Sequence, residues 1–280
     1  MKYRLKWLFL ATLIFWTILV WGAIWTNIQS TELAVYFLDV GQGDAIFINT
    51  PNGNQMLIDG GRNKQVIVEL SKIMPIYDRS IDVVLATHPD SDHIGGLSFV
   101  LDRYQVRGFI DSNKSSDTTT SQVLESSLKA NGAKKITARR GMRVVLDRDI
   151  YFDILYPDRP VENLESNEAS IVGRLIYGQN SFILTGDAPK KVENYLIFLD
   201  NEELSADVLK AGHHGSHTSS SEAFVRTVAP TLAIISAGQN NQYGHPHQEV
   251  INLFKTLNIK VLNTANRGTI KITSDGRTIK

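Results

Sequence analysis

The stretch Thr87-His88-Pro89-Asp90-Ser91-Asp92-His93-Ile94-Gly95-Gly96 packs two imidazoles and two carboxylates into six consecutive positions. The aliphatic run at 81–86 ahead of it reads as a strand, and the apolar spacing over 94–101 behind it reads as a helix, so these four side chains leave the end of a strand. In an extended loop, residues 88, 90 and 92 point to similar sides and His93 can turn across, so two neighbouring cations could each take part of the set. An aspartate capping the helix would explain one carboxylate. It would not explain histidines on both sides of two aspartates.

The same arrangement recurs along the chain. All seven histidines (His88, His93, His213, His214, His217, His245 and His247) lie in segments that follow strand-like runs. Leu184-Thr185-Gly186-Asp187 ends another such run with a carboxylate, and Asp59 closes a third before Gly60-Gly61. A lone aspartate at a strand end is usually a turn residue; with seven histidines placed alike, convergence on one sheet edge is the stronger reading. Strand-like runs come first at 33–40, 45–50 and 55–59, with Gly41-Gln42-Gly43 and Asn52-Gly53 as hairpin turns. Helical segments over 64–74, 94–101 and 122–130 then alternate with strands at 81–86 and 106–110. A second strand-rich half spans 143–185, followed by helices over 189–199, 221–228 and 248–257 between strands at 207–210, 232–236 and the C-terminus. Two strand-rich halves, each with helices, predict a layered α/β architecture with the sheets packed inside. The segment 112–121 (SNKSSDTTTS) reads as a polar surface loop.

Composition narrows the chemistry. Among 280 residues, Lys plus Arg and Asp plus Glu each number 29, so no global positive field gathers nucleic acid or anionic lipid. One basic concentration exists, Lys134, Lys135, Arg139, Arg140, Arg143 and Arg148; it is a candidate DNA contact or a solvated face. Cysteine is absent, which excludes disulfides, thiolate metal sites and a cysteine nucleophile. At the N-terminus, Lys2, Arg4 and Lys6 precede an uncharged run over 7–25 that holds all four tryptophans. As a helix this run is roughly 29 Å long, enough for a hydrocarbon core. The positive flank predicts a cytoplasmic N-terminus, with residues 1–30 as an uncleaved single-pass anchor in the lipid bilayer and 31–280 as one extracytoplasmic domain. Secretion after signal cleavage is the alternative, although 22–29 offers no convincing small-x-small site.

Taken in order, FLDVGQGDA (37–45), LIDGG (57–61), THPDSDHIGG (87–96), LTGD (184–187), LKAGHHGS (209–216) and YGHPH (243–247) resemble the metallo-β-lactamase fold, and within it the hydrolase domain of ComEC-type DNA-uptake proteins. The resemblance covers nearly all of 33–275. It implies an αββα sandwich with one or two divalent metal ions at the sheet edge and hydrolysis by a metal-bound hydroxide. Carried over by position, it gives His88 and Asp90 to a first metal, Asp92 and His93 to a second, and Asp187 to both. One of His213 and His214 completes the second site, with His213 favoured as nearer the strand end. Asp92 would orient the attacking water, and Asp59 would steady the loop histidines. His245 could hydrogen-bond a phosphate oxygen or protonate the leaving group, unless Gly-His-Pro is a turn with an outward ring. Ser216 is a supporting or substrate-side candidate, and 219–221 could offer a helix N-terminus to an anion. The chain departs from the commonest family pattern in carrying Asp90 where that pattern has histidine, and in having no histidine from 94 to 212. Asn167 and Ser170 are the polar candidates for that gap. More oxygen and fewer imidazole ligands shift preference from zinc toward manganese, with zinc still possible. The implied activity is hydrolysis of phosphodiesters, DNA first; the alternatives are a phosphodiesterase for envelope polymers such as phosphocholine-bearing teichoic acids, or a catalytically silent DNA- or envelope-binding subunit.

Overall fold

The structure, a computed structural model, describes residues 2–28 and 32–280. Helix α1 (Lys2–Ile28) contains one segment, Tyr3–Ala23, long and apolar enough to cross a membrane, and none of that segment is buried against the rest of the protein. The boundary expected at residues 30 and 31 and the side chain of Trp25 lie outside the described residues.

Alternating burial builds the remainder. The strands are β1 (Leu33–Phe37), β2 (Ile46–Asn49), β3 (Gln55–Ile58), β4 (Ser80–Ala86), β5 (Gln105–Asp111), β6 (Lys134–Thr137), β7 (Arg143–Asp147), β8 (Ile150–Tyr156), β9 (Val172–Tyr177), β10 (Asn180–Leu184), β11 (Val208–Lys210), β12 (Leu232–Ile235), β13 (Lys260–Asn263) and β14 (Ile270–Ser274). They form two seven-stranded sheets, ordered β14-β1-β2-β3-β4-β5-β6 and β13-β12-β11-β10-β9-β8-β7. In each sheet an antiparallel part leads into a run of parallel strands. Parallel neighbours need crossover connections, which here are α2 (Gln65–Ile73), the pair α3 (Ser91–Ile94) and α4 (Leu97–Arg103), and α5 (Thr119–Asn131) in the first sheet, and α6 (Lys190–Asp200), α7 (Glu222–Val228) and α8 (Gln248–Thr256) in the second; α9 (Thr264–Arg267) precedes β14.

Successive residues of one strand serve different layers, because side chains alternate across a sheet. Ile46, Ile48, Met56 and Ile58 join Phe152, Phe182, Leu184 and Ile234 in a core between the sheets. Their neighbours Phe47 and Leu57 face outward onto Leu70, Leu97, Val100 and Leu128 of the helices. On the far side Ile183, Leu209 and Ile235 do the same with Leu196, Phe224 and Phe254. The layers are therefore helix, sheet, sheet, helix, as expected.

Two local features differ from the sequence reading. Residues 91–94 are a helical turn rather than extended loop, and the helix expected over 94–101 is split. The split falls at Gly95 and Gly96: a Cβ on Gly95 would lie 2.2 Å from the Arg62 carbonyl oxygen, and one on Gly96 1.9 Å from that of Gly60. The strand β6 was not anticipated, because its sequence Lys-Lys-Ile-Thr carries two exposed lysines at a sheet edge, where charge replaces alternation.

Candidate metal centre

The ends of β3, β4, β10, β11 and β12 and the loop after β1 meet where the two sheets' edges approach. The loops are braced by backbone: Gly60 N–H donates to the His93 carbonyl at 2.7 Å, Gly61 N–H to that of Asp44 at 2.7 Å, and Gly96 N–H to that of Gly61 at 2.8 Å. Gly43 sits so close that a Cβ there would lie 2.1 Å from the Asp92 carbonyl oxygen. The glycines of three motifs are thus what allow the loop after β1, the turn after β3 and the histidine-aspartate segment to share one place.

Within this brace, His93 is fully buried and bonded through Nδ1 to Asp59 Oδ2 at 2.7 Å. Asp59 also accepts the Thr87 N–H at 2.8 Å and the Thr87 hydroxyl at 2.7 Å, so three bonds fix its carboxylate. Such an arrangement turns His93 Nε2 inward, where it lies 3.3 Å from Asp187 Oδ2. His214, also buried, has Nδ1 2.9 Å from the Ser236 carbonyl, leaving Nε2 3.4 Å from Asp187 Oδ2 and 3.5 Å from Asp92 Oδ2. His213 Nε2 stands 3.7 Å from Asp187, with its side chain 26% exposed and Nδ1 against Thr218 Oγ1. Both rings of the pair face Asp187, and His214, rather than the favoured His213, is the buried one. Each holds a left-handed backbone (φ 49° and 55°), an uncommon state for non-glycine residues that presents both imidazoles to one side.

The remaining expected residues fall around this centre. His88 is buried, its Nε2 3.6 Å from Asp90 Oδ2 and its ring centroid 4.1 Å from that of His93. Asp90 accepts the Ser166 hydroxyl at 2.5 Å, and Ser170 Oγ accepts the Asp187 N–H at 3.2 Å. Asn167 lies beside His213, its Nδ2 3.5 Å from Nδ1 of that ring, with its buried Oδ1 unpartnered. The Ser216 hydroxyl lies 3.0 Å from Thr218 Oγ1, so it reaches the centre through Thr218 and His213. His245 stands at the mouth, centroid 5.4 Å from His213 and stacked on Tyr243. Burial and the neighbouring His213 and His214 lower its pKa to about 4, which leaves a neutral ring.

Two expectations about anion contacts are narrowed. The N–H groups of Ser220 and Ser221 donate to the Glu193 carboxylate, at 2.6 and 2.8 Å, so these two amides are not free for an anion. Half of the basic concentration is paired with acids of other elements: Lys135 with Asp111 and Glu125, Arg140 with Asp200, and Arg143 with Asp153.

Two residues were not singled out from the sequence. Asp44, which follows the Gly41-Gln42-Gly43 turn, is buried and forms an ion pair with Lys210, which is itself wholly buried. Lys210 also donates to the Gly186 carbonyl at 2.9 Å and lies 3.7 Å from Asp187 Oδ1. The FLDVGQGDA and LKAGHHGS motifs contained both, but the signal emerges only when the loop after β1 is seen to meet the end of β11. Donor atoms of Asp44, His93, Asp187 and His214 lie within 4.8 Å of one another. Asp44 approaches His214 at Nδ1, 3.3 Å away, on the side of the ring turned from Asp187. That geometry makes it a support for His214 and Lys210 rather than a ligand.

The electrostatics show what this centre lacks. Carboxylates of Asp44, Asp59, Asp92 and Asp187 face one lysine among the described residues. Burial opposes charge on His93, yet Asp187 and Asp59 raise its pKa well above the imidazole norm; His214 is raised to about 9, against burial, by Asp187 and Asp44. Asp187 is held low in spite of burial by His214 and His93. The raised imidazole pKa values reflect this excess of negative charge. The buried Nε2 atoms of His88, His93 and His214 and Oδ1 of Asp187 have no hydrogen-bond partner, and unpaired buried polar atoms are rare in folded proteins. Inward lone pairs on imidazole and carboxylate, with negative charge in excess, fit a divalent metal ion.

Comparison with known proteins agrees with this fold. Residues 38–239 match the metallo-beta-lactamase superfamily. ComE operon protein 3 of Bacillus subtilis is 35% identical over 265 residues, 86% of this chain and 33% of that protein. Competence protein ComA of Neisseria gonorrhoeae is 31% identical over 248 residues, 87% of this chain and 33% of that protein. The chain thus spans about a third of the length of these relatives. Among solved structures, the metallo-beta-lactamase fold protein YhfI from Bacillus subtilis superposes with a TM-score of 0.56 at 13% identity, over 87% of this chain and 100% of that one.

Proposed function

On the premise that the chain belongs to the metallo-beta-lactamase superfamily, a hydrolase fold, we propose that it hydrolyses phosphodiesters with the help of a divalent metal, that DNA is its substrate, and that α1 anchors it in a membrane with the centre outside the cytoplasm. The observation that carries this reading is the convergence of His93 Nε2 and His214 Nε2 on Asp187, both rings locked by bonds at Nδ1 and both Nε2 atoms unpartnered. His93, His214, Asp92 and Asp187 would hold the ion, with His88 and Asp90 beside them as a second pair. Bound there, a divalent ion supplies Lewis acidity and lowers the pKa of a water.

The chain's own groups divide the remaining work. Asp59 and the Ser236 carbonyl fix which nitrogen of each ring faces inward. Asp92 is 18% exposed and ionised, so its carboxylate can orient an incoming water by accepting a hydrogen bond from it. His245, neutral and at the mouth, offers a ring N–H to a phosphate oxygen rather than a proton to the leaving group. DNA is preferred because a relative is named a competence protein, competence being the uptake of DNA. The donor set, imidazole and carboxylate in equal number, suits manganese or zinc.

The test is turnover of single- and double-stranded DNA and of bis(p-nitrophenyl) phosphate by the full chain in detergent, with Mn or Zn, against Asp187→Ala. Metal-dependent cleavage of both DNA and ester, lost in the variant, is expected. Cleavage of the ester alone would move the substrate to the envelope polymers, and no turnover with any divalent metal would overturn the reading.

A further inference from the structure

Beside the metal centre lies a cavity of about 440 Å³ that none of the groups above requires. Its wall on the side of the centre is His88 with Pro89, and the same His88 ring stands 4.1 Å, centroid to centroid, from His93. Whatever fills the cavity therefore lies one side chain away from the candidate metal ligands. Its volume is in the range of roughly 300–1,000 Å³ that small-molecule sites occupy, and far exceeds what a single phosphate needs.

The lining divides into two kinds of surface. Ile94, Phe109 and Leu124, from α3, β5 and α5, supply apolar contact, while Asp111, Asn113 and Gln122 bring a carboxylate and two amides. The cationic groups are already engaged. Lys135 lies 3.0 Å from Asp111 and 2.6 Å from Glu125, and Lys114 donates to the Glu162 carbonyl at 2.7 Å. With Asp111 and Glu125 against Lys114 and Lys135, the cavity has no positive excess to attract an anion. Burial raises the pKa of Asp111 even with Lys135 beside it, a sign that further negative charge here is unwelcome.

A substrate that spans centre and cavity must then place its phosphate at the first and an uncharged, flat, partly apolar group in the second. Apolar faces combined with hydrogen-bonding edges are how nucleobases are held once they leave a stack. We infer that this cavity receives the nucleobase of the nucleotide carrying the scissile phosphate, so that the enzyme takes unpaired strands in preference to duplex. The inference rests on the phosphodiesterase reading for its substrate, but its test does not depend on turnover. A base inside the cavity cannot remain paired or stacked, so a duplex pays for melting while a single strand does not.

The test is binding by the metal-loaded full chain in detergent at low temperature, with the integrity of each ligand checked after the measurement. Three ligands are compared by fluorescence anisotropy or competition: a single-stranded hexathymidylate, the same deoxyribose-phosphate backbone without bases, and dTMP. Base contacts of this kind are worth about tenfold in affinity or more, so the hexathymidylate is expected to bind about ten times more tightly than the abasic strand. Ser121→Trp, which fills the cavity from the first turn of α5, and Ser116→Trp, from the opposite loop, are each expected to bring that ratio toward one without a large change in melting temperature. Equal affinity for the two strands, no measurable affinity for either, or a ratio unchanged in both variants overturns the inference. Binding of dTMP as tightly as the hexamer would assign the cavity to free nucleotides and overturn the strand reading. Base-dependent binding without turnover would remove the hydrolase and keep the pocket; turnover indifferent to bases would do the reverse.

Discussion

Asp59 and Lys210 illustrate how much of this centre is set by side chains behind the ligands. Asp59 holds His93 by Nδ1 and is itself pinned by Thr87, so Asp59→Asn keeps the shape but removes the acceptor that fixes the ring. Partners of this type are worth about 10–100-fold in metal affinity, and a loss in that range is expected by metal titration, with the circular dichroism spectrum unchanged. Unaltered affinity would reduce Asp59 to a backbone brace. Lys210 is the buried cation between Asp44 and Asp187. Lys210→Met strands those carboxylates, and breaking a buried pair costs about 3–5 kcal/mol. The metal-free variant should therefore melt well below the wild type, and a divalent ion should recover more of its melting temperature than it adds to the wild type. Equal melting of the two metal-free chains would contradict the account. Of these two residues, Asp59 stood out in the sequence because it ends a strand before two glycines. Lys210 did not, because a lysine in a strand carries no sign that the fold will bury it among acids 166 and 23 positions away.

Among the elements, those with clear alternation or apolar spacing were legible, and those shaped by contact were not. Strands β1–β5 and β7–β12 and the helices of both outer layers follow from patterning. The helical turn at Ser91–Ile94, which carries Asp92 and His93, does not, because Gly95 and Gly96 are placed by the carbonyls of Arg62 and Gly60. The same holds for the loop after β1. Gly43 has φ 130° and no room for a Cβ beside the Asp92 carbonyl. Gly43→Ala is expected to destabilise the chain by about 1–3 kcal/mol through backbone strain and to weaken metal binding by displacing Asp92, checked by denaturant unfolding and metal titration on one sample. A variant as stable as the wild type would show that the loop has slack. Basic residues over 134–148 read as one patch in sequence, while strand pairing sets Lys135 against Asp111 and Arg143 against Asp153, and Arg140 meets Asp200 at the end of α6.

At the scale of the molecule, two layers of helix enclose two sheets, and the chemistry sits at the edge where strand ends from both meet. That architecture was readable from six ordered motifs, because each motif marks a strand end that the fold brings to one place. Helix α1 stands apart, its segment Tyr3–Ala23 unburied and apolar, so the full chain is expected in the membrane fraction and a chain lacking residues 1–30 in the soluble one; fractionation with carbonate washing checks this, and a wild-type chain released by carbonate would contradict an anchor. The relatives are about three times as long as this chain. The central claim is that the buried groups around Asp187 form a metal centre. The most direct test is calorimetric titration of the chelator-stripped full chain with Mn and Zn, against Asp187→Ala. Saturable binding of one or two ions, lost or greatly weakened in the variant, is the predicted result. A wild-type chain that binds neither ion, or an Asp187→Ala chain that binds as tightly as the wild type, would contradict it.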